Sequence, residues 1–224
     1  MRTLTIGSLL CLVASPCLGQ VYVGRPVPRA GSIEISGGAI AAGGKDLPDV
    51  TATLTRNPAT GSGSFDWFQS DATLTPALGA QARLGVYLSP SMSIEGGFQY
   101  ARPKVEARLT ADFESAPNTT ASETVSSYLF TGSLLYHFGR ASNRMRPFVM
   151  GGAGHVRDVR DGNRLVESGT EFHGGGGFKW WFSGGRRKIG LRAEVIASVR
   201  GGGVATEDDH RIVPTAAFSL AYLF

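Results

Sequence analysis

The chain has 224 residues, 42% hydrophobic and 18% charged, with 22 Lys and Arg against 18 Asp and Glu for a formal charge of +4. That length suits one domain, and both cysteines, Cys11 and Cys17, fall in a segment read below as a removed leader. The mature chain then has no disulfide framework, thiol nucleophile or thiolate metal site. No stretch reaches the roughly 20 apolar residues of a membrane-spanning helix.

Arg2 makes a short basic start, Leu4 to Ala14 form an apolar stretch, and Cys17-Leu18-Gly19 offer small residues for cleavage. These features predict a signal peptide over 1–19, a short periplasmic segment over 20–30 and a β-barrel domain over 31–224. A lipidated Cys17 is the competing reading, which Pro16 fits badly.

From there the apolar residues lie in period-2 stripes, the signature of half-buried strands. Eight stripes follow. The first, about Ser32 to Ile40, has Ile33 and Ile35 on one face. The second sets Leu78, Leu84, Val86 and Leu88 against Gln81, Arg83 and Tyr87. The third sets Ile94, Phe98 and Tyr100 against Glu95 and Gln99, and the fourth turns Tyr128, Phe130, Leu134, Tyr136 and Phe138 outward. Phe148 and Met150 are read as outward on the fifth, and Phe172, Phe178, Trp180 and Phe182 on the sixth. The seventh places Ile189, Leu191, Val195 and Ala197 opposite Arg192, Glu194 and Ser198. The eighth runs from Val213 to the terminal Phe224, with Phe218, Leu220, Tyr222 and Phe224 on one face and Thr215, Ala217, Ser219 and Ala221 on the other.

A strand with one apolar face and small or polar residues opposite suits a barrel with lipid outside and a packed lumen inside. Connections alternate in length: 89–92, 139–146 and 183–188 are short, whereas 41–76, 102–123, 157–169 and 199–211 are longer and polar. The reading is an all-β fold, an eight-stranded antiparallel up-and-down transmembrane β-barrel with short periplasmic turns and longer extracellular loops. Aromatics near the strand ends form two interfacial girdles. Phe65-Asp66-Trp67-Phe68 in the first loop, with Val105, Ala107 and Leu109, are expected to extend strands above the membrane.

The signal segment, the Pro147–Gly154 strand, the Leu191-Arg192-Ala193-Glu194 strand and the terminal Phe224 together resemble small eight-stranded outer-membrane barrels of the OmpA and OmpX type. The resemblance covers essentially the whole mature chain. It implies an outer-membrane location and a C-terminal strand, carried by Phe218, Leu220, Tyr222 and Phe224, that barrel-assembly machinery reads. No peptidoglycan-binding domain is expected after the barrel, so that anchoring role is not implied. Outer-membrane lipids and lipopolysaccharide are the expected surroundings of a chain that is a monomer without cofactor or nucleic-acid partner.

A barrel of eight strands is just wide enough to be filled by its own side chains or to hold one small ligand. Inward faces carry Glu34, Gln81, Arg83, Glu95, Gln99, Lys179, Arg192 and Glu194, and buried charges of this kind must pair. Short-turn register puts Lys179 near Arg192 and diagonal to Glu194, so that one acid serves two bases. Loop register is read as setting Arg157 against Glu171 and His155 against His173, a weak candidate for a two-histidine metal site; no metal is expected. The polar set predicts a plugged lumen rather than a pore.

Some barrels of this size are lipid-modifying enzymes that use Ser, His and an acid, and the nearest combination here is His137 with Ser142, which does not support catalysis. Gly174–Gly177 sits inside a strand pattern with no helix after it, so it is not a phosphate loop. The short-turn side carries Arg25, Arg29, Arg140, Arg144, Arg146, Arg186, Arg187 and Lys188 without an acid. The positive balance therefore belongs to one rim, expected to meet anionic headgroups or acidic cell-wall polymer.

Overall fold

Strands with one apolar face are stable when both edges find partners, and here eight of them close on one another. The structure, a computed structural model, describes residues 27–54, 65–110, 118–160, 166–182, 188–202 and 211–224. Among these the strands are β1 (Ile33–Ala42), β2 (Lys45–Leu54), β3 (Phe65–Leu74), β4 (Ala77–Ser89), β5 (Met92–Ala101), β6 (Lys104–Thr110), β7 (Thr119–His137), β8 (Met145–Arg160), β9 (Val166–Trp181), β10 (Ile189–Gly202) and β11 (Arg211–Leu223). The segment expected to be a leader, both cysteines, Arg25, Arg186 and Arg187 lie outside the described residues.

The eight sequence stripes are the eight ring strands, β1–β4–β5–β7–β8–β9–β10–β11, all antiparallel, with β11 returning to pair β1 from Glu34↔Leu223 to Ala42↔Thr215. The fold is thus an all-β, up-and-down eight-stranded ring. Burial alternates residue by residue on β11 and through most of β4 and β10. Leu84, Phe130, Val195, Phe218 and Tyr222 face out, while Arg83, Glu95, Lys179, Arg192 and Glu194 face in.

The remaining three strands form a separate sheet at the outer end. β2 pairs β3, β3 pairs β6, and β6 pairs the upper part of β7 from Lys104↔Thr124 to Leu109↔Thr119. β7, with 19 residues, is long enough to serve both sheets. The other chain paths break at one level, at Gly43-Gly44, Thr75-Pro76 and Arg102-Pro103. Proline supplies no ladder donor, and a Cβ on Gly44 would run into the Leu74 carbonyl, so the close approach there requires glycine. The expected strand extension of the first two loops is what forms.

One strand departs from the sequence reading. Phe148 and Met150 are 2% and 5% exposed, so they point into the lumen, and the whole of β8 is turned by one residue relative to the expected phase. Both faces of β8 are mixed: Met145 and Val149 oppose Phe148, Met150 and Val156, and Gly151, Gly152 and Gly154 add no bias. The neighbours decide it. His137 points inward and lies directly across from Phe148, and cross-strand partners share a face. Gly177 on the other side leaves room for the Phe148 ring.

Candidate functional site: the lumen charge network

The middle of the lumen holds three acids and three bases, none more than 4% exposed: Glu34, Glu95, Glu194, Arg83, Lys179 and Arg192. Period-2 alternation aims them inward from β1, β4, β5, β9 and β10, and the barrel curvature brings them together. Arg192 is the hub. Its Nη1 donates to Glu95 at 2.8 Å, and its Nε and Nη2 donate to Glu194 Oε2 at 2.9 and 2.7 Å. Lys179 Nζ lies 2.8 Å from Glu34 and 3.3 Å from Glu95, and Arg83 Nη2 lies 3.1 Å from the second oxygen of Glu194.

Neutral donors complete the set. Gln81 Nε2 donates to Glu194 and to Ser219 Oγ, and Tyr87 OH donates to Glu34 at 2.8 Å. The Phe148 ring lies 4.9 Å from the Arg192 guanidinium and 5.5 Å from Lys179 Nζ, so its π-face meets both cations. This is the physical use of turning β8 inward. Lys179 lies directly across from Arg192, as the hairpin register predicts, but the acids the two bases share are Glu95 and, 3.8 Å from Arg192, Glu34, rather than Glu194. Glu194 instead joins Arg192 to Arg83.

Toward the periplasmic end the lumen closes with Tyr87, His137, Trp181 and Leu223; the Tyr87 and His137 rings stack with centroids 5.2 Å apart. Arg146, expected on the basic rim, is buried here at 1% exposure and donates to the Pro90 carbonyl at 2.6 Å. It moved because it shares the phase of Phe148. Arg140 and Arg144 are exposed in the turn, and Lys188 is half-buried.

Toward the outer end, Ser133 Oγ lies 2.8 Å from His173 Nε2, His173 Nδ1 lies 3.4 Å from Glu171, and Glu171 accepts from Arg200 Nε at 2.6 Å. Above it, Arg211 Nη2 is 3.4 Å from Asp158. Ser, His and an acid in series make a nucleophile relay when substrate can reach the hydroxyl. Here all three are buried, and the gap beside them, lined by Gln99, Thr131 and Thr215, has no room for a water molecule. The series forms a buried polar layer across the lumen.

The paired-histidine expectation fails on phase. His155 faces outward opposite Thr170, whereas His173 faces inward opposite Gly152, so the two sit on opposite sides of the wall. Arg157 is likewise outward and opposite Ser168, not Glu171; Arg200 takes the place expected for it. Among the described residues no group of three His, Cys, Asp or Glu is placed to hold a metal ion. Arg200 and Arg211 fall in the 199–211 segment that reads as an outer loop, although Arg192, Glu194, Ser198 and Arg200 share one period-2 phase. That phase was the available signal.

Residues 80–196, from β4 into β10, match the family described as the OprF membrane domain. The chain belongs to that family. It is thus a small outer-membrane β-barrel of the OmpA and OmpX type. The outer-membrane protein OprG from Pseudomonas aeruginosa shares the fold at 12% identity, with a TM-score of 0.56 over 88% of this chain and 97% of that one. The N-terminal β-barrel domain of Pseudomonas aeruginosa OprF aligns at 14% identity over 87% of this chain and 98% of its own, with a TM-score of 0.48. Ail, the attachment invasion locus protein of Yersinia pestis, aligns at 14% identity over 87% and 99%, with a TM-score of 0.43. No curated protein matches the chain.

Proposed function

We propose that the chain is a non-catalytic structural and surface-interaction barrel, exported by its N-terminal leader and assembled through its C-terminal strand. In this reading the lumen is closed to ions and the outer sheet of β2, β3, β6 and upper β7 is the contact surface. The carrying observation is the six-charge cluster, in which every group has a counter-charge at 3.1 Å or less. Such a cluster leaves no unpaired ion to attract a permeant one and no continuous water column. Phe218, Leu220, Tyr222 and Phe224 all face lipid on the strand that closes the ring, as an assembly signal on an outer face requires. Arg140, Arg144 and Lys188 at the opposite rim suit anionic headgroups.

Purified protein in a planar bilayer tests the closed lumen: an absence of discrete conductance steps is expected, and steady unitary currents from the wild type would overturn it. A heat-modifiability gel on the outer-membrane fraction tests location. Cells carrying the chain with residues 45–74 replaced by a short turn should lose surface adhesion while keeping detergent resistance; unchanged adhesion would remove the contact role from the outer sheet.

One observation favours a second reading, that of a small-ligand carrier. A solvent-open outer pocket with room of only about 30 Å³ is lined by Ile40, Leu74, Ala101, Leu129, Val213 and Arg200. Apolar walls beside an arginine already held by Glu171 suit at most the end of a narrow apolar chain. Titration with a fluorescent fatty-acid probe distinguishes the readings, since the plugged structural barrel predicts no saturable binding.

A further inference from the structure

A charged side chain on the lipid-facing wall of a barrel costs roughly 2–4 kcal/mol at the bilayer midplane and little at the interface. β8 carries His155 and Arg157 on that wall. Both are exposed, flanked by inward Val156 and Asp158, and neither has a partner among the described residues. Their depth follows from the strand. Arg157 lies across from Tyr128, and ten residues separate Tyr128 from Phe138 at the periplasmic girdle. Ten residues rise about 33 Å along the strand, or about 25 Å vertically at the usual tilt, which is the height of the apolar band. Arg157 therefore stands at the outer interface, with His155 about 7 Å deeper along the same strand.

The surroundings match. Tyr100 pairs Tyr128, their rings 5.2 Å apart, and Arg102 and Lys104 follow Tyr100 on the exposed face. Of the nearby acids, Glu123 and Glu167 lie on the opposite face of the wall, 3.6 and 3.5 Å from Arg160, whereas Glu106 is exposed on the Lys104 face, two residues farther along β6. Elsewhere around the outer end the exposed outward residues include Leu78, Val199 and Ile212. Among the described residues, the outward bases at this level lie on the β5–β8 side.

We propose that His155 and Arg157, with Arg102 and Lys104 above them, form a binding site for the phosphates of an outer-leaflet glycolipid, whose acyl chains lie against the apolar wall below. The position commits the occupant to a lipid, because a free anion has no reason to bind a guanidinium and an imidazole that border hydrocarbon. The site rests on the outward orientation of the long loops proposed above.

The test uses the full folded protein in phosphatidylethanolamine nanodiscs containing diphosphorylated lipid A, with native mass spectrometry counting retained glycolipid. Arg157→Gln with His155→Gln should lower retention roughly tenfold. Dephosphorylated lipid A should bind wild type no better than diphosphorylated lipid A binds the variant. Equal retention by variant and wild type overturns the site, as does equal binding of the dephosphorylated lipid. Displacement by millimolar inorganic phosphate overturns the lipid as occupant, and the same loss with phosphatidylglycerol overturns the glycolipid assignment. Both substitutions are on exposed side chains, and a heat-modifiability gel confirms that the variant is folded before binding is read. Orientation is tested separately by labelling Lys104→Cys with an impermeant maleimide on intact cells. Labelling supports the outer-leaflet assignment, and failure to label overturns it whatever the nanodiscs show.

Discussion

Removing the Arg192 side chain tests whether the lumen is held by paired charge. In Arg192→Met the Glu95 carboxylate keeps only Lys179 at 3.3 Å, and Glu194 keeps Arg83 at 3.1 Å and Gln81 at 3.1 Å. Truncating one partner of a buried pair costs about 3–5 kcal/mol, because it strands a charge that has already lost its water. With an unfolding slope of about 2 kcal/mol per molar urea, the midpoint should fall by about 1.5–2.5 M. Combining Arg192→Met with Glu95→Gln removes the stranded charge, so the double variant should recover at least half of that loss. The assay is urea unfolding of the refolded barrel in lipid vesicles, followed by tryptophan fluorescence and by gel mobility. A single-variant shift below about 0.3 M, or a double variant no better than the sum of the singles, would refute the account of the lumen as a charge-paired plug.

The inward turn of β8 predicts unequal costs for neighbouring residues. Phe148→Ala should destabilise by about 3–5 kcal/mol, whereas His155→Ala should stay within about 0.5 kcal/mol, both read by the same unfolding assay. Ala153→Arg places a charge near the middle of the lipid-facing band, across from Gly132 and about midway between the girdles, and should cost about 2–4 kcal/mol, falling away for the same change at Val159 near the outer end. Gly177→Val should reduce the heat-modifiable fraction in refolding trials, because a Cβ there runs into the Ala193 carbonyl where β9 meets β10. Replacing 45–74 by a short turn should leave the gel shift intact, since among the described residues β2 pairs β3 and β3 pairs β6, outside the ring.

The ring was legible because a barrel wall imposes one rule on every residue of its strands. On β4, β10 and β11 the apolar and polar residues obey that rule almost without exception, so strand, face and neighbour could be read together. The lateral position of Lys179 beside Arg192 was also legible, because a short turn leaves little freedom of register. β8 was not. With Phe148 and Met150 on one face, Met145 and Val149 on the other and four glycines, 174 to 177, on the strand beside it, local preference is nearly balanced. The choice was made by β7 and β9, through His137 and Gly177, and it carried Arg146, His155, Arg157 and Asp158 with it. A period of two means that one wrong phase misplaces every side chain of a strand.

By itself, then, the order of residues determined that there would be eight wall strands, which side of most of them meets lipid, and that the interior would hold charge. Which acid holds which base was decided only by closure. Glu34, Glu95 and Glu194 come from strands far apart in sequence, and their distances to Lys179 and Arg192 depend on curvature and shear around the whole ring. Alternation acts within a strand and is written locally; pairing across the lumen is a property of the closed cylinder, and no local pattern encodes it.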